Sequence, residues 1–263
     1  MGVYPFAIGA LLFIFGACIG SFLNVVLFRY GSRSLRGRSK CLSCGKNLTP
    51  SMLIPLWSFA RRRGRCAYCE ARLSPQYFLV ELAVATLFVF VGLAQGLHLP
   101  NVGAETLLFV FLDMVVWSTL VLIFFYDLRH KIIPDLFSFL LALEGGLLLF
   151  TRWLCDPTLP LTEFLAGPLL ALPFAALWFF SGGRLMGLGD AKLSWGIGWF
   201  LGLTQGISAL VFSFWIALLP SLYLLLLSRK NYTMKSEVPF GPFLILGTLV
   251  VYVFRMDITA WIF

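Results

Sequence analysis

Long apolar runs recur from one end of the chain to the other, and they restrict its fold more than any other feature of the sequence. A helix needs about 20 apolar residues to cross the hydrocarbon core of a bilayer. Runs close to this length occupy residues 3–28, 78–97, 107–126, 136–151, 163–181, 193–206, 207–228 and 239–258. Only 12% of the residues are charged, about half the share in a soluble domain. We therefore predict an all-α polytopic membrane protein with about eight transmembrane helices.

Basic residues are concentrated in a few of the loops between these runs. Of the 20 Lys and Arg residues, 11 lie between Arg29 and Arg72, and smaller groups follow the third, fifth and seventh runs. Because cytoplasmic loops of membrane proteins are enriched in Lys and Arg, we assign these loops to the cytoplasm and both termini to the opposite side. This bias also accounts for the net charge of +8. We therefore expect membrane lipid, and no nucleic acid, around the protein.

The runs divide the chain into three expected parts. Residues 1–28 form a first transmembrane helix, which has no clear signal cleavage site. Residues 29–77 are the one sizeable hydrophilic stretch and are predicted to be a small cytoplasmic insert. Residues 78–263 form the transmembrane core.

The insert contains two CxxC pairs separated by about 20 residues, a spacing typical of a tetrahedral zinc site. The four predicted ligands are Cys41, Cys44, Cys66 and Cys69. Because the segment is too short and polar to bury a core, metal binding would supply its folding free energy. Four thiolates close the coordination shell, so the Zn²⁺ would be structural. The alternatives are a redox pair or reduced cysteines without a metal.

Two aspartates are predicted to meet at the cytoplasmic edge of the membrane. Asp127 ends the third run, and Asp190 lies between the fifth and sixth. Two close carboxylates in apolar surroundings share a proton, so that one can activate water while the other donates to a carbonyl. Gly187 and Gly189 suit a backbone that must approach a ligand or adopt a positive φ.

Other interpretations of the acidic residues remain open. Asp127 and Asp190 could instead form interfacial ion pairs with Arg129, Lys131 or Lys192. Asp135 is a second candidate in the first loop, although a helix start also favours an acidic residue. Lys192 and Asp135 are therefore assigned supporting positions beside the pair. Glu81, Asp113 and Glu144 fall within predicted spans, and for the last two we expect hydrogen bonds to neighbouring helices.

Several motifs in order along the chain resemble the type IV prepilin peptidase family, the GxGD aspartic proteases of bacterial inner membranes. These motifs are Gly20-Ser-Phe-Leu-Asn-Val-Val26 with Arg29, the four cysteines of the insert, Glu81 in Leu79-Val80-Glu81-Leu82, Asp127 in Asp-Leu-Arg-x-x-x-Ile-Pro-Asp, Asp190 in Gly-Leu-Gly-Asp-Ala-Lys-Leu, and Val238-Pro-Phe-Gly-Pro-Phe243. A lone GxGD would be a weak signal, but six motifs in the family order are specific.

The resemblance implies an enzyme with Asp127 and Asp190 as its catalytic pair. The implied substrates are prepilins and type II secretion pseudopilins, which would be cut after Gly at the cytoplasmic face of the bacterial inner membrane. Family members with the cysteine insert generally also N-methylate the new terminal residue with S-adenosylmethionine. The sequence shows no nucleotide-binding fingerprint that would place this cofactor.

Two departures from the family pattern lie in the insert: Met52, where many members have an acidic residue, and Glu70, where a Gly often follows the second cysteine pair. They bear on methylation more than on peptide cleavage. The rival interpretations are a transporter whose aspartates line a polar path, and a non-catalytic protein of pilus or secretion assembly. The transporter does not explain the cysteine insert, and both motif aspartates are intact.

Overall fold

The structure, a computed structural model, describes residues 3–31, 34, 37–99, 102–227 and 239–258. These residues form nine α-helices, with two isolated β-bridges in the insert. The helices are α1 (Val3–Arg29), α2 (Trp57–Arg61), α3 (Gln76–Ala94), α4 (Ala104–His130), α5 (Asp135–Cys155), α6 (Leu161–Ser181), α7 (Leu188–Leu201), α8 (Leu203–Leu227) and α9 (Gly241–Phe254).

The eight longer helices correspond one to one with the predicted apolar runs. Within the described ranges, six of them, α1, α3, α4, α5, α6 and α8, are long and apolar enough to cross a membrane. Helices α7 and α9 have 14 residues each, fewer than the roughly 20 that a perpendicular span requires. The prediction of an all-α polytopic membrane fold is confirmed.

The boundaries predicted for the sixth run, residues 193–206, are wrong. Helix α7 begins at Leu188 and ends at Leu201, and α8 begins at Leu203. Gly202 separates the two helices with a φ of +84°, a conformation that favours glycine. Because apolar residues lie on both sides of this break, hydropathy alone could not locate it.

The first of two compact units comprises Met1–Phe125. Its α1 and α3 are in close contact at two glycines: a Cβ added at Gly16 would lie 2.8 Å from Ala85 Cα, and one at Gly20 would lie 2.7 Å from Glu81 Cα. Membrane helices approach each other closely where small residues remove side-chain bulk. The last turns of α1 therefore lie beside the start of α3, with the insert joining them.

Asp113 of α4 also belongs to the first unit, and it is 1% exposed. The Gln95 side chain at the end of α3 donates a hydrogen bond of 2.6 Å to its Oδ2. This contact agrees with the expectation that Asp113 bonds to a neighbouring helix, and it gives that acid a structural role.

The second unit comprises Tyr126–Phe263, and α7 lies between α5 and α6 in it. Glycines again allow the contact. A Cβ at Gly145 of α5 would lie 2.8 Å from Gly196 O, and one at Gly198 would lie 2.7 Å from Ala166 O of α6. Helix α7 is therefore held on two sides by backbone-to-backbone packing in its second half.

Some predicted features lie outside the described residues. They are the basic residues Arg33, Arg36, Arg229, Lys230 and Lys235, and Val238 of the last motif. The predicted boundaries at residues 28 and 77 separate membrane segments from the insert, whereas the two compact units are defined by contacts. The predicted division therefore stays a prediction.

Candidate active site and metal centre

Asp127 lies in the last turn of α4 with 4% of its surface exposed. The helix ends at His130, and the next residue, Lys131, donates its N–H to Asp127 O at 2.7 Å and has a φ of +55°. Pro134 is the N-cap of α5. The loop between the two helices is therefore short and fixed at both ends, so it holds Asp127 in a defined position.

Asp190 is half-buried in the first turn of α7, and Gly187 is the N-cap of that helix. Gly187 has a φ of −77°, so it does not use the positive φ that glycine allows. Gly189 instead provides space: a Cβ there would lie 3.1 Å from Ile133 Cβ. The sequence suggested a close approach or a positive φ as the reason for these glycines. A close approach applies at Gly189, and the positive φ does not apply at Gly187.

Ile133 connects the two aspartate motifs. It is 9% exposed, and it contacts Gly189 of α7 on one side and Gly241, the first residue of α9, on the other. The Gly241 N–H in turn donates a hydrogen bond to the Asp127 carboxylate. Three helix ends, those of α4, α7 and α9, thus converge around one isoleucine, and each aspartate lies at one of them.

The two carboxylates are close enough to interact. Burial, together with the negative charge of Asp127, raises the pKa of Asp190 to about 7. A neighbouring cation would have lowered this pKa instead. The direction of the shift therefore disfavours the ion-pair interpretation of Asp190 and favours the placement of Asp190 near a second carboxylate.

Lys192 forms its ion pair with Asp135, and Nζ and Oδ1 lie 2.6 Å apart. Asp135 is in the first turn of α5, where a helix favours an acidic residue. Both side chains have substantial exposure, 39% and 82%, so the pair contributes little to stability. Its effect is positional, because it ties the start of α7 to the start of α5 beside the aspartates.

The four cysteines of the insert converge on one point. Their sulfur atoms all lie within 4.8 Å of one another, a spacing that suits four thiolate ligands around one metal ion. Cys41 and Cys66 are buried at 4% and 5% exposure. Hydrogen bonding from the Cys44 backbone N–H outweighs burial and lowers the pKa of Cys41 to about 6. Cys41 can therefore present a thiolate to a metal.

The two cysteine turns have the same hydrogen-bonding pattern. Gly45 N–H donates to Cys41 O at 2.9 Å, and Glu70 N–H donates to Cys66 O at 3.1 Å. Both donors have a positive φ, +71° and +56°. Glu70 therefore adopts a backbone conformation that costs a non-glycine residue free energy, which explains why a glycine is suited to this position.

Glu81, in the first unit, takes no part in the aspartate pair. It is 8% exposed, and it accepts a 2.8 Å hydrogen bond from the Leu56 N–H of the insert. Ser21 of α1 is a second hydrogen-bond partner. The carboxylate therefore links α1, the insert and α3.

Sequence reasoning gave no role to Gly241 or Ile133. The glycine was recognised only as part of a family signature, although Phe-Gly-Pro before an apolar run is a recognisable helix start. Ile133 was likewise recognised only as the Ile of the Asp-Leu-Arg-x-x-x-Ile-Pro-Asp motif, because the role of an apolar residue in a membrane protein depends on its neighbours.

Two family models match the chain. Residues 14–94 match the bacterial peptidase A24 N-terminal domain, and residues 114–222 match the type IV leader peptidase family. Among curated proteins, a prepilin leader peptidase/N-methyltransferase of Aeromonas salmonicida is 30% identical over 98% of this chain and 94% of its own. One of Bacillus subtilis is 30% identical over 96% of both chains.

A prepilin leader peptidase/N-methyltransferase of Klebsiella pneumoniae is 32% identical over 76% of this chain and 87% of its own. No solved structure matches the chain.

Replacing Gly241 with Ala should move the Asp127 carboxylate, because the new Cβ would lie 2.5 Å from its Oδ2. A displacement of about 1 Å at reacting groups can lower a rate about 100-fold. Cleavage of a prepilin in membranes measures the effect. Gly103→Ala is the matched control, since a Cβ there meets nothing within 4 Å. Equal activity of both variants would show that the α9 contact does not position Asp127.

Proposed function

The chain belongs to the type IV leader peptidase family, and on that premise we propose that it removes the basic leader from type IV prepilins and type II secretion pseudopilins. The observation that supports this proposal best is the convergence of the helix ends that carry Asp127 and Asp190, where burial and the negative charge of Asp127 raise the pKa of Asp190 to about 7. No other described pair of acidic residues has this arrangement.

The surroundings of the aspartates suggest different roles in cleavage. Asp127 is buried, which disfavours its charged form, but the Gly241 N–H at the start of α9 partly offsets this effect, and Asp190 has no such donor among the causes of its pKa shift. Asp190 holds its proton up to about pH 7. Asp127 is thus the base that takes a proton from water, and Asp190 is the acid that donates to the scissile carbonyl oxygen.

The proposed orientation places this chemistry at the cytoplasmic face. Both aspartates lie at the same ends of their segments as the basic loops, which favour the cytoplasm. A prepilin whose apolar helix lies in the bilayer would present its leader on that side, with the scissile bond at the membrane edge. Both termini of this chain would then be periplasmic.

The cysteine insert is proposed to bind Zn²⁺ and to belong to a second activity. Four thiolates without an open position form a structural site, which stabilises the fold around it. The second activity is N-methylation of the residue exposed by cleavage, for which S-adenosylmethionine would supply an electrophilic methyl group. Support comes from the first family match, which covers the insert, and from the relatives described as N-methyltransferases.

A transporter and a non-catalytic assembly protein are the rival functions. Both could retain buried aspartates, and a proton-coupled transporter would also use one that titrates near neutral pH, but neither would cleave a prepilin. Neutralising each aspartate and measuring substrate cleavage distinguishes the peptidase from both rivals.

Asp127→Asn and Asp190→Asn should each lower the rate of prepilin cleavage by about 100- to 10,000-fold, the usual contribution of a general acid or base. Asn keeps the side-chain shape but cannot exchange the proton. The measurement is conversion of a prepilin to its shorter form in membranes with matched enzyme abundance. Asp156→Asn is the control, because Asp156 is exposed and bonds to Thr158. Cleavage by both active-site variants at the wild-type rate would exclude the proposed mechanism.

Cleavage should weaken as the pH rises through about 7, the pKa of Asp190. A raised carboxyl pKa means that the proton is present below this pH and lost above it, so the acid disappears on the alkaline side. The kcat/KM profile between pH 5 and 9 on one prepilin measures this limb. A profile that stays flat above pH 7 would contradict a protonated Asp190.

Cys66→Ser should lower the bound zinc from about one ion per chain and destabilise the insert. Zinc content of the purified protein by mass spectrometry measures the first effect, and protease sensitivity between residues 37 and 75 measures the second. Cys155→Ser is the control, since Cys155 is exposed and lies outside the cluster. Unchanged zinc in Cys66→Ser would mean that the four cysteines do not hold it.

A further inference from the structure

A cavity of about 560 Å³ lies within the first unit, between the end of α1, the cysteine insert and the start of α3. Its size is in the range of small-molecule sites. It is distinct from the aspartate pair, which lies in the second unit. Its wall includes residues of all three segments, among them Asn24, Phe28, Ser58 and Glu81.

Asn24 has an unsatisfied acceptor in this wall. The residue is 2% exposed, and its Nδ2 donates to Tyr77 O at 2.9 Å. Its Oδ1 has no hydrogen-bond partner among the described residues. A buried acceptor without a donor is costly, so such an atom is a reason to expect a ligand N–H or O–H.

Glu81 is the one acidic residue in the wall of a cavity whose other charged wall residues are basic. Its hydrogen bond from Leu56 N–H fixes the carboxylate. The basic residues of the wall are Arg29, Arg38, Lys40, Arg62, Arg65 and Arg72. A ligand that carries both a carboxylate and a cationic centre would find a partner for each charge, whereas a purely anionic ligand would meet Glu81 unfavourably.

Aromatic rings form another part of the wall. Phe28 and Tyr77 are stacked with their centroids 4.5 Å apart and their planes 14° apart. Phe59 lines the cavity as well. Such rings provide apolar area for a planar base and favourable electrostatics for a nearby cation.

We infer that this cavity is the S-adenosylmethionine site of the enzyme, with Asn24 and Glu81 as ligand-binding residues. The inference rests on the proposed N-methylation and locates it. Asn24 Oδ1 accepts a hydrogen bond from the ligand, Glu81 faces its cationic part, and the arginines face its carboxylate. The insert forms much of the wall, so metal binding there shapes the site.

Binding of methyl-labelled S-adenosylmethionine to the purified full-length enzyme, by equilibrium dialysis without a pilin substrate, tests the inference. Glu81→Gln keeps an acceptor for Leu56 N–H but removes the charge, and it should weaken binding about 10- to 100-fold. Asn24→Leu should weaken it about 10-fold. Glu105→Gln, an exposed acid at the start of α4 outside the cavity, should bind as wild type does. Prepilin cleavage and zinc content show that each variant is folded.

Ultraviolet crosslinking of the bound ligand to the wild-type enzyme locates the site without any substitution. Labelled peptides should come from residues 21–81. Label confined to the second unit, or equal binding by Glu81→Gln, Asn24→Leu and wild type, would overturn the cavity assignment and leave methylation in place. A wild-type enzyme that cleaves prepilins but neither binds the ligand nor methylates would overturn the methylation proposal, and the cavity assignment with it.

Discussion

Two carboxylates near each other in apolar surroundings cannot both be charged at a low cost, and the second unit of this protein is organised around that constraint. Asp127 lies at the end of one helix and Asp190 at the start of another. The pKa of Asp190 is raised to about 7 by burial and by Asp127. One proton shared by the pair is the state that water activation needs, so the electrostatic cost and the proposed chemistry have the same origin.

Close helix packing keeps the two aspartates in place. Helix α7 has only 14 residues, too few to be positioned by the membrane alone. Gly145, Gly196 and Gly198 let its backbone touch α5 and α6, and the exposed Lys192–Asp135 pair joins the start of α7 to the start of α5. Gly241 then brings the positive end of α9 to Asp127. The catalytic proposal therefore depends on small residues as much as on the acids.

The first unit contains a cavity and a cysteine cluster instead of a carboxylate pair. Glycines again bring α1 to α3, but the result is a cavity with both signs of charge beside a four-cysteine cluster. The peptidase and methyl-transfer activities proposed for the protein would thus use separate groups of residues. Glu81 belongs to the residues proposed for methyl transfer. The sequence had left its role open, because it placed Glu81 only near the start of a predicted span.

Hydropathy predicted the eight longer helices, because each is a run of apolar residues long enough to stand out. It failed at Gly202, where a turn lies inside a continuous apolar stretch. The aspartates and cysteines could be found because such residues are rare in apolar surroundings. The roles of Gly241, Ile133 and Leu56 could not be predicted, since each acts through backbone or shape, and those contacts exist only once distant segments have packed.

Infrared difference spectroscopy of the carboxyl groups tests the shared proton most directly. A pH titration of the wild-type enzyme should show a protonated carboxyl band that disappears near pH 7, the pKa of Asp190. In Asp127→Asn the same band should titrate at a lower pH, because the neighbouring negative charge is gone. A carboxyl band that titrates near pH 4 in the wild type, or one that does not move in Asp127→Asn, would contradict the coupling of the two aspartates.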